Sequence, residues 1–181
     1  MPEVTPICQF GTKAISFSLK GVDEKTYNLE EIKGKNGTLI IFICNHCPYV
    51  KGVINRLVKD ITDLQKKEIG CVAIMSNDVE NYPEDSFENM KKFSKENSFT
   101  FPYLYDETQE IAKTYGAVCT PDFFGYNKNL ELQYRGRLDN AGISGEDLKD
   151  KELLNAFHQI IKTGNGPVEQ KPSMGCSIKW K

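Results

Sequence analysis

The sequence has few of the features that mark a membrane protein or a nucleic-acid-binding protein. No apolar segment reaches the roughly 20 residues that a membrane-spanning helix requires. Residues 1–10 lack the basic and apolar regions of a secretory signal peptide. The formal net charge is only −2, and the lysines are dispersed among acidic residues. We therefore expect a cytoplasmic protein that binds neither nucleic acid nor a membrane.

Histidine is also scarce, with two residues in 181, whereas there are six cysteines. The cysteines are too widely spaced for a small disulfide-stapled scaffold, and the cytoplasm keeps thiols reduced. The chain is long enough for one domain with a full hydrophobic core. We expect residues 1–181 to form that single domain, with residues 164–181 as a C-terminal tail.

Hydrophobic periodicity divides the chain into alternating strands and helices. The predicted order is a β-hairpin at 15–32, a strand at 38–43, a helix at 46–67, a strand at 70–76, a helix at 84–97, a strand at 101–105, a helix at 107–115, a hairpin of strands 122–127 and 130–135, and a helix at 147–163. The strand at 38–43 is apolar on both faces, as in sheets covered by helices on each side. The pattern predicts a three-layer α/β domain with a largely parallel sheet, to which the closing hairpin adds antiparallel strands.

The chemistry-bearing motif is Cys44-Asn45-His46-Cys47, at the junction of the strand at 38–43 with the helix that follows. Two cysteines in this spacing form a dithiol that can close into a disulfide and reopen. We expect Cys44 to lie at the helix start, where unpaired N–H groups and the helix dipole lower a thiol pKa. Cys44 would then attack a substrate disulfide, and the more buried Cys47 would resolve the mixed disulfide.

The two residues between the cysteines are predicted to be auxiliary. His46 can stabilise the Cys44 thiolate by charge or by a hydrogen bond, which would make the dithiol–disulfide couple more oxidising. Asn45 is assigned to the site with it. The other histidine, His158, falls in the helix at 147–163, where we expect a surface residue.

A second marker of the site is Thr120-Pro121, at the entry to the strand at 122–127. An X-Pro bond in this position can be cis. The backbone of Thr120 would then be free to pair with a bound peptide. We therefore predict that Thr120-Pro121 contacts the substrate backbone.

These features together resemble the thioredoxin superfamily. The N-terminal hairpin and the extra β-α unit between the dithiol and Thr120-Pro121 resemble its redoxin branch, the AhpC/TSA-like proteins that include peroxiredoxins. Longer strings resemble bacterial peroxiredoxin-like thioredoxin-family proteins with a CNHCP motif; they lie at 42–50, 76–78, 82–86, 119–124 and 171–180. The resemblance implies a thioredoxin-like three-layer domain, a cis-Pro loop at Thr120-Pro121 packed against the dithiol, and redox activity.

The sequence departs from the peroxiredoxin pattern at two positions. Peroxiredoxins place a Pro and a Thr or Ser seven and three residues before the peroxide-reactive cysteine. Before Cys44 these positions hold Gly37 and Ile41, and before Cys47 they hold Ile40 and Cys44. The groups that would polarise a peroxide are therefore missing from both positions.

The sequence also departs from thioredoxin itself, which carries a buried Asp six residues before its first cysteine. Here that position holds Thr38. Another group, or water, must accept the proton of Cys47. Asp78 and Glu80, just beyond the strand at 70–76, are the predicted acids.

Two further cysteines are predicted as extra redox thiols. Cys119 immediately precedes Thr120-Pro121, and Cys176 lies in a tail whose apolar residues Ile178 and Trp180 are expected to dock on the domain. Either cysteine could relay electrons or resolve a sulfenic acid. The alternative for each is an inert buried thiol.

The leading functional hypothesis is a thiol-disulfide oxidoreductase that needs no cofactor. Its partners would be a disulfide-containing protein or small molecule and a thiol/disulfide electron-transfer partner. The first alternative is a thiol-dependent, peroxiredoxin-like antioxidant peroxidase. A lower-ranked alternative is a copper-binding module that uses Cys44, Cys47 and His46.

Overall fold

The structure is a computed structural model that describes all 181 residues, with ten strands and five α-helices. The strands are β1 (Pro2–Val4), β2 (Ser18–Gly21), β3 (Thr26–Asn28), β4 (Gly37–Phe42), β5 (Ile69–Met75), β6 (Tyr103–Tyr105), β7 (Cys119–Thr120), β8 (Asp122–Tyr126), β9 (Leu132–Tyr134) and β10 (Met174–Ser177). The helices are α1 (Leu29–Ile32), α2 (Pro48–Lys66), α3 (Phe87–Glu96), α4 (Glu110–Tyr115) and α5 (Glu152–Thr163).

The central sheet has seven strands in the order β3-β2-β6-β5-β4-β8-β9. Only the β4–β5 and β5–β6 pairs are parallel, and the other neighbours are antiparallel. The three-layer α/β prediction is confirmed, but the prediction of a largely parallel sheet is wrong. The reason is that the hairpins β2–β3 and β8–β9 add their strands in antiparallel pairing on both sides of the parallel centre.

Strand β4 lies at the centre of the core, and all six of its residues are buried. Leu39 and Ile41 pack on the face covered by α2, α3 and α5, whereas Ile40 and Phe42 pack on the face covered by α1 and α4. Each such side chain contributes roughly 1.5–3 kcal/mol by its removal from water. The strand is therefore fixed on both faces, and its carboxyl end delivers the dithiol motif to one edge of the sheet.

Helix α2 begins at Pro48, two residues later than predicted, and its N-cap is Cys47. Proline is favoured at the first helical position because its missing N–H would have no partner there. Helix α2 has 19 residues, and none of the helices is both long and apolar enough to cross a membrane. The later helix start changes the surroundings of the two cysteines.

The predicted helix at 84–97 divides into two parts. Pro83–Asp85 form a short 3₁₀ helix, and α3 starts after Ser86, whose Oγ accepts a hydrogen bond from the Asn89 amide at 3.3 Å. Helix α5 begins later than predicted, at Glu152, but ends as expected at a left-handed Gly164 with φ of 80°. The N-terminal hairpin is also shorter than predicted, because residues 29–32 form α1.

A second, three-stranded sheet has the order β1-β10-β7. No element was predicted there, because these strands are two to four residues long and lack an alternating apolar pattern. Strand β10 lies between β1 and β7, so the C-terminal tail is docked, as predicted. Ile178 is its buried anchor, but Trp180 is 42% exposed and does not serve as one.

A buried ion pair joins β8 to the residue that follows β9. Arg135 Nη2 donates to Asp122 Oδ2 at 3.0 Å and to the Gly116 carbonyl at 2.8 Å. Asp122 also accepts from the Val118 amide at 3.1 Å. Burial raises the pKa of the Asp122 carboxyl, and Arg135 opposes that shift. The pair thus fixes the loop that leads into Thr120-Pro121.

We expect Arg135→Met to lower the free energy of unfolding by about 3–5 kcal/mol, because Asp122 would remain buried without its cation. Asp122→Asn combined with Arg135→Met should recover part of this loss. The exposed Lys128→Met is the matched control and should change little. Urea unfolding at pH 7 measures all three, and an Arg135→Met variant as stable as the control would contradict the prediction.

Candidate active site

The end of β4 and the start of α2 bring Cys44 and Cys47 to the cis-Pro loop. Both cysteines are buried, with 1% and 0% exposure. Cys44 Sγ lies 3.4 Å from Thr120 Oγ1, and Cys47 Sγ lies 3.3 Å from the Thr120 carbonyl oxygen. The Thr120–Pro121 peptide bond is cis, as predicted. The structure therefore brings the two sequence markers together.

The helix position of the cysteines differs from the prediction. Cys47 is the N-cap of α2, and Cys44 lies three residues before it, outside the helix. A hydrogen bond from the Cys44 thiol lowers the pKa of Cys47, against the opposing effect of burial; Cys176, Thr120 and the Val50 amide add smaller stabilising contributions. The thiolate favoured at the helix start is therefore that of Cys47.

The pKa of Cys44 is raised rather than lowered. Its hydrogen bond to Cys47 is the largest cause, and burial and the negative charge of Asp85 act in the same direction. The expectation that Cys44 lies at the helix N-terminus is thus wrong, because α2 starts at Pro48 and Cys47 is its N-cap. The opposite directions of the two pKa shifts favour a thiolate on Cys47 over one on Cys44.

His46 contacts a carboxylate that the sequence analysis did not assign. His46 Nδ1 lies 2.6 Å from Asp85 Oδ2, and its ring stacks on Tyr82 at 5.9 Å between centroids. Asp85 is fully buried and also accepts hydrogen bonds from the Asn45 amide at 2.7 Å and from Asn77 Nδ2 at 2.9 Å. The direct partner of His46 is therefore Asp85, and not a Cys44 thiolate as predicted.

Asp85, rather than Asp78 or Glu80, is the acid beside the dithiol. Asp78 accepts hydrogen bonds from the Glu80 amide at 3.0 Å and from Asn81 Nδ2 at 2.5 Å, so it closes a local turn. Asp85 lies directly before the N-cap of α3, in one of the strings that carried the resemblance. The family resemblance of residues 82–86 was the only sequence signal for Asp85, because no local pattern shows that its side chain is buried.

Asn45 holds the dithiol loop in place. Its Nδ2 donates to the Glu84 carbonyl at 3.1 Å, and its Oδ1 accepts from the buried Tyr103 hydroxyl at 2.8 Å. With the bond from its amide to Asp85, Asn45 connects the loop to β6 and to the 3₁₀ helix. The auxiliary position predicted for Asn45 thus corresponds to a positioning role.

The two additional cysteines lie in different surroundings. Cys176 pairs with Thr120 across β10 and β7, and its Sγ lies 2.8 Å from Cys47 Sγ. Cys119, next to Thr120, is buried, and its Sγ is 3.7 Å from the Pro121 carbonyl oxygen. Successive residues of a strand point to opposite faces. Cys176 therefore joins the dithiol, and Cys119 does not.

The backbone of Thr120 is not free. Cys176 of β10 occupies the antiparallel position opposite Thr120, where we predicted a substrate peptide. Burial raises the pKa of the Cys176 thiol to about 11, and hydrogen bonding to Cys47 adds to the shift. Cys176 is only partly buried, so it is the most accessible of the three neighbouring thiols.

The site also contains a group of side chains that could bind a metal ion. Ligand atoms of Cys44, His46 and Asp85 lie within 4.8 Å of one another, but this set differs from the predicted one because Asp85 replaces Cys47. Asp85 Oδ2 already accepts from Asn77 and contacts His46, and Oδ1 accepts from the Asn45 amide, so most of the acceptor capacity of this carboxylate is used within the protein. His158, on α5, is exposed, as predicted.

Comparisons with known proteins show the family of the chain. The AhpC/TSA family model matches residues 10–139. An uncharacterized conserved protein from Geobacillus kaustophilus is 45% identical, with a TM-score of 0.94, over 100% of this chain and 97% of that one. A hypothetical protein from Sinorhizobium meliloti 1021 is 36% identical, with a TM-score of 0.92, over 98% of this chain and 97% of that one.

A more distant similarity concerns the fold alone. The thioredoxin domain of a thiol-disulfide oxidoreductase from Bacteroides vulgatus is 15% identical, with a TM-score of 0.65, over 84% of this chain and 97% of that one. No curated protein matches the sequence. The family match covers well over half of the chain and includes the dithiol and the cis-Pro loop. The chain therefore belongs to the AhpC/TSA family, and its fold is thioredoxin-like.

Proposed function

We propose that the protein is a thiol-disulfide oxidoreductase whose reactive dithiol is Cys44 and Cys47. The observation that carries the proposal is the setting of Cys47, whose pKa is lowered at a helix N-cap and whose sulfur contacts other thiols. Membership of a redox family and a thioredoxin-like fold support a redox enzyme in general. Its substrates would be disulfides of proteins or of small molecules.

In this proposal Cys47 takes the role that the sequence analysis gave to Cys44. Because Cys47 is buried and β10 lies against it, a substrate disulfide reaches it only when β10 moves aside; the Cys47 thiolate then attacks one sulfur, and the other sulfur leaves as a thiolate. Cys44 then attacks Cys47 Sγ, closes the Cys44–Cys47 disulfide and releases the second substrate thiolate. The proton of Cys44 passes to a departing substrate thiolate.

The peroxidase alternative has less support in the site. Ile40 and Cys44 occupy the positions that would carry Pro and Thr or Ser before Cys47, and Ile40 is packed in the core. The copper alternative has less support because His46 Nδ1 is already paired with Asp85 and because Cys47 is not in the set of neighbouring ligand atoms formed by Cys44, His46 and Asp85. Peroxide consumption and copper binding are therefore measured on the same variants as the disulfide assays.

Thiolate absorbance near 240 nm should identify Cys47 as the ionised thiol of the reduced protein. A lowered pKa keeps the thiolate charged below the ordinary thiol value of about 8.5, so wild type should absorb at pH 7 and lose the absorbance only in acid. Cys47→Ser should abolish this signal. The matched control is Cys119→Ser, because burial raises the pKa of Cys119. A signal lost in Cys44→Ser and kept in Cys47→Ser would restore the original assignment.

Trapping of a mixed disulfide should distinguish the nucleophile from the resolving residue. Both variants carry Cys176→Ser, because the Cys176 sulfur is close enough to Cys47 to resolve a complex. With insulin as substrate, Cys44→Ser should accumulate the complex through Cys47, whereas Cys47→Ser should not.

Turnover gives an independent measurement of the same roles. In insulin reduction with dithiothreitol, Cys47→Ser should be no faster than dithiothreitol alone, since the attacking thiolate is lost. Wild type and Cys119→Ser should both exceed that background. Turnover by Cys47→Ser at the wild-type rate would refute the mechanism.

A further inference from the structure

We propose that Cys176 is a third catalytic thiol, and that the oxidised enzyme transfers its disulfide from Cys44–Cys47 to Cys47–Cys176. Strand β10 would then act as an intramolecular substrate, because its Cys176 takes part in the new disulfide. Cys176 is more exposed to solvent than Cys44, which it replaces. This inference rests on the proposed function of the dithiol. It adds a third thiol, outside the Cys-Asn-His-Cys motif, at which the oxidised enzyme can be reduced.

The first support is the distance between the sulfurs. Cys47 Sγ and Cys176 Sγ are 2.8 Å apart, and a disulfide bond is about 2.05 Å long. A small movement of either side chain therefore closes the bond. Cys119, the other cysteine near the cis-Pro loop, lies on the opposite face of β7 and has no thiol neighbour.

The second support is the way the tail is held. Ser173 Oγ donates to the Pro121 carbonyl at 2.8 Å before β10, and the Lys179 amide donates to Asn77 Oδ1 at 2.9 Å after it. Between these contacts, Cys176 lies in strand pairing with neighbours on both sides. The thiol is thus presented to Cys47 from a fixed backbone, as a bound substrate strand would present it.

Gly175 shows how close this approach is. A Cβ at this position would lie 2.0 Å from the Thr120 carbonyl oxygen, so only glycine allows β10 to approach β7 this closely. The neighbouring Met174 is 51% exposed and has no such restriction. The backbone contact that brings Cys176 to the dithiol therefore requires glycine at position 175.

The transfer is a thiol-disulfide exchange that needs no oxidant or reductant. The Cys176 thiolate attacks Cys47 Sγ, the Cys47–Cys176 bond forms and the Cys44–Cys47 bond breaks. Cys44 leaves with the bonding electron pair and takes up the proton that Cys176 lost. The hydrogen bond to the Cys47 thiolate, the largest cause of the raised Cys44 pKa, ends with the exchange, but burial and the charge of Asp85 still raise the pKa of Cys44 and favour its release as a neutral thiol.

The transferred disulfide is better placed for reduction. Cys176 is partly exposed, whereas Cys44 and Cys47 are buried, so an external thiol reaches Cys176 first. Its attack on Cys176 Sγ expels Cys47 as a thiolate, and a thiol of lowered pKa is the better leaving group. A second thiol of the reductant then releases Cys176. The electron donor would therefore be a dithiol that contacts the tail.

Disulfide mapping tests the proposal directly. The reduced protein is oxidised with one equivalent of glutathione disulfide, quenched in acid, alkylated under denaturing conditions and digested for mass spectrometry. We expect a 47–176 bridge with alkylated Cys44 and Cys119. A 44–47 bridge with alkylated Cys176 would overturn the tail proposal and leave the dithiol function standing. The absence of any bridge, with no insulin reduction, would overturn both.

Gly175→Ala tests the geometry with every thiol present. Displacement of β10 from Thr120 should shift the bridge from 47–176 to 44–47. Met174→Ala, on the same strand, is the matched control and should keep the 47–176 bridge. An unchanged bridge in Gly175→Ala, with the variant folded by circular dichroism, would contradict the proposed role of the tail strand.

Reduction kinetics test the entry point of the electron donor. Oxidised Cys176→Ser can hold only the buried 44–47 bridge, so dithiothreitol should reduce it more slowly than it reduces oxidised wild type. Serine is close in size to cysteine, which keeps the tail docked. Equal or faster reduction of Cys176→Ser would show that the donor does not enter through the tail.

Discussion

The pairing of β10 with Thr120 is the interaction on which the arrangement of the site depends. It is possible only because Gly175 leaves the Thr120 carbonyl unobstructed. This one contact fills the position beside the cis-Pro loop, places the Cys176 sulfur against Cys47 and covers the dithiol. The same strand that supplies a thiol therefore also limits access to the other two. The pairing of β10 with Thr120 both covers the dithiol and positions the Cys176 thiol. A substitution that disrupts this pairing therefore changes both at once.

The electrostatics of the site give its three thiols different chemical characters. Cys47, the N-cap of α2, has a pKa lowered chiefly by a hydrogen bond from the Cys44 thiol, while Cys44 and Cys176 have raised ones. A disulfide that involves Cys47 therefore always has one good leaving group. Asp85 contributes by holding His46 and by adding negative charge near Cys44. In the proposed exchange, these differences make Cys47 the better leaving group when an external thiol attacks Cys176, whereas the transfer from Cys44 to Cys176 depends on the short distance between the Cys47 and Cys176 sulfurs.

Particular residues show how far prediction from sequence extends. The buried strand before the dithiol and the amphipathic helix after it were predicted from local signatures, whereas the cis bond at Thr120-Pro121 was predicted from the family resemblance. Pro48 could also have located the helix start, since proline favours the first helical position. That signal would have moved the predicted N-cap from Cys44 to Cys47. Asp85 had no comparable signal, because its burial depends on donors from two other segments.

The sequence by itself determined the redox character of this protein. Residue type and spacing produce the dithiol, and hydrophobic periodicity places it between a buried strand and a helix. Only the tertiary structure decided that Cys176, 129 residues beyond Cys47, is its neighbour. The reason is physical: β7 and β10 are too short to have a hydrophobic period, and backbone hydrogen bonds can join almost any pair of side chains. Their pairing becomes specific only when the rest of the fold brings the two strands together.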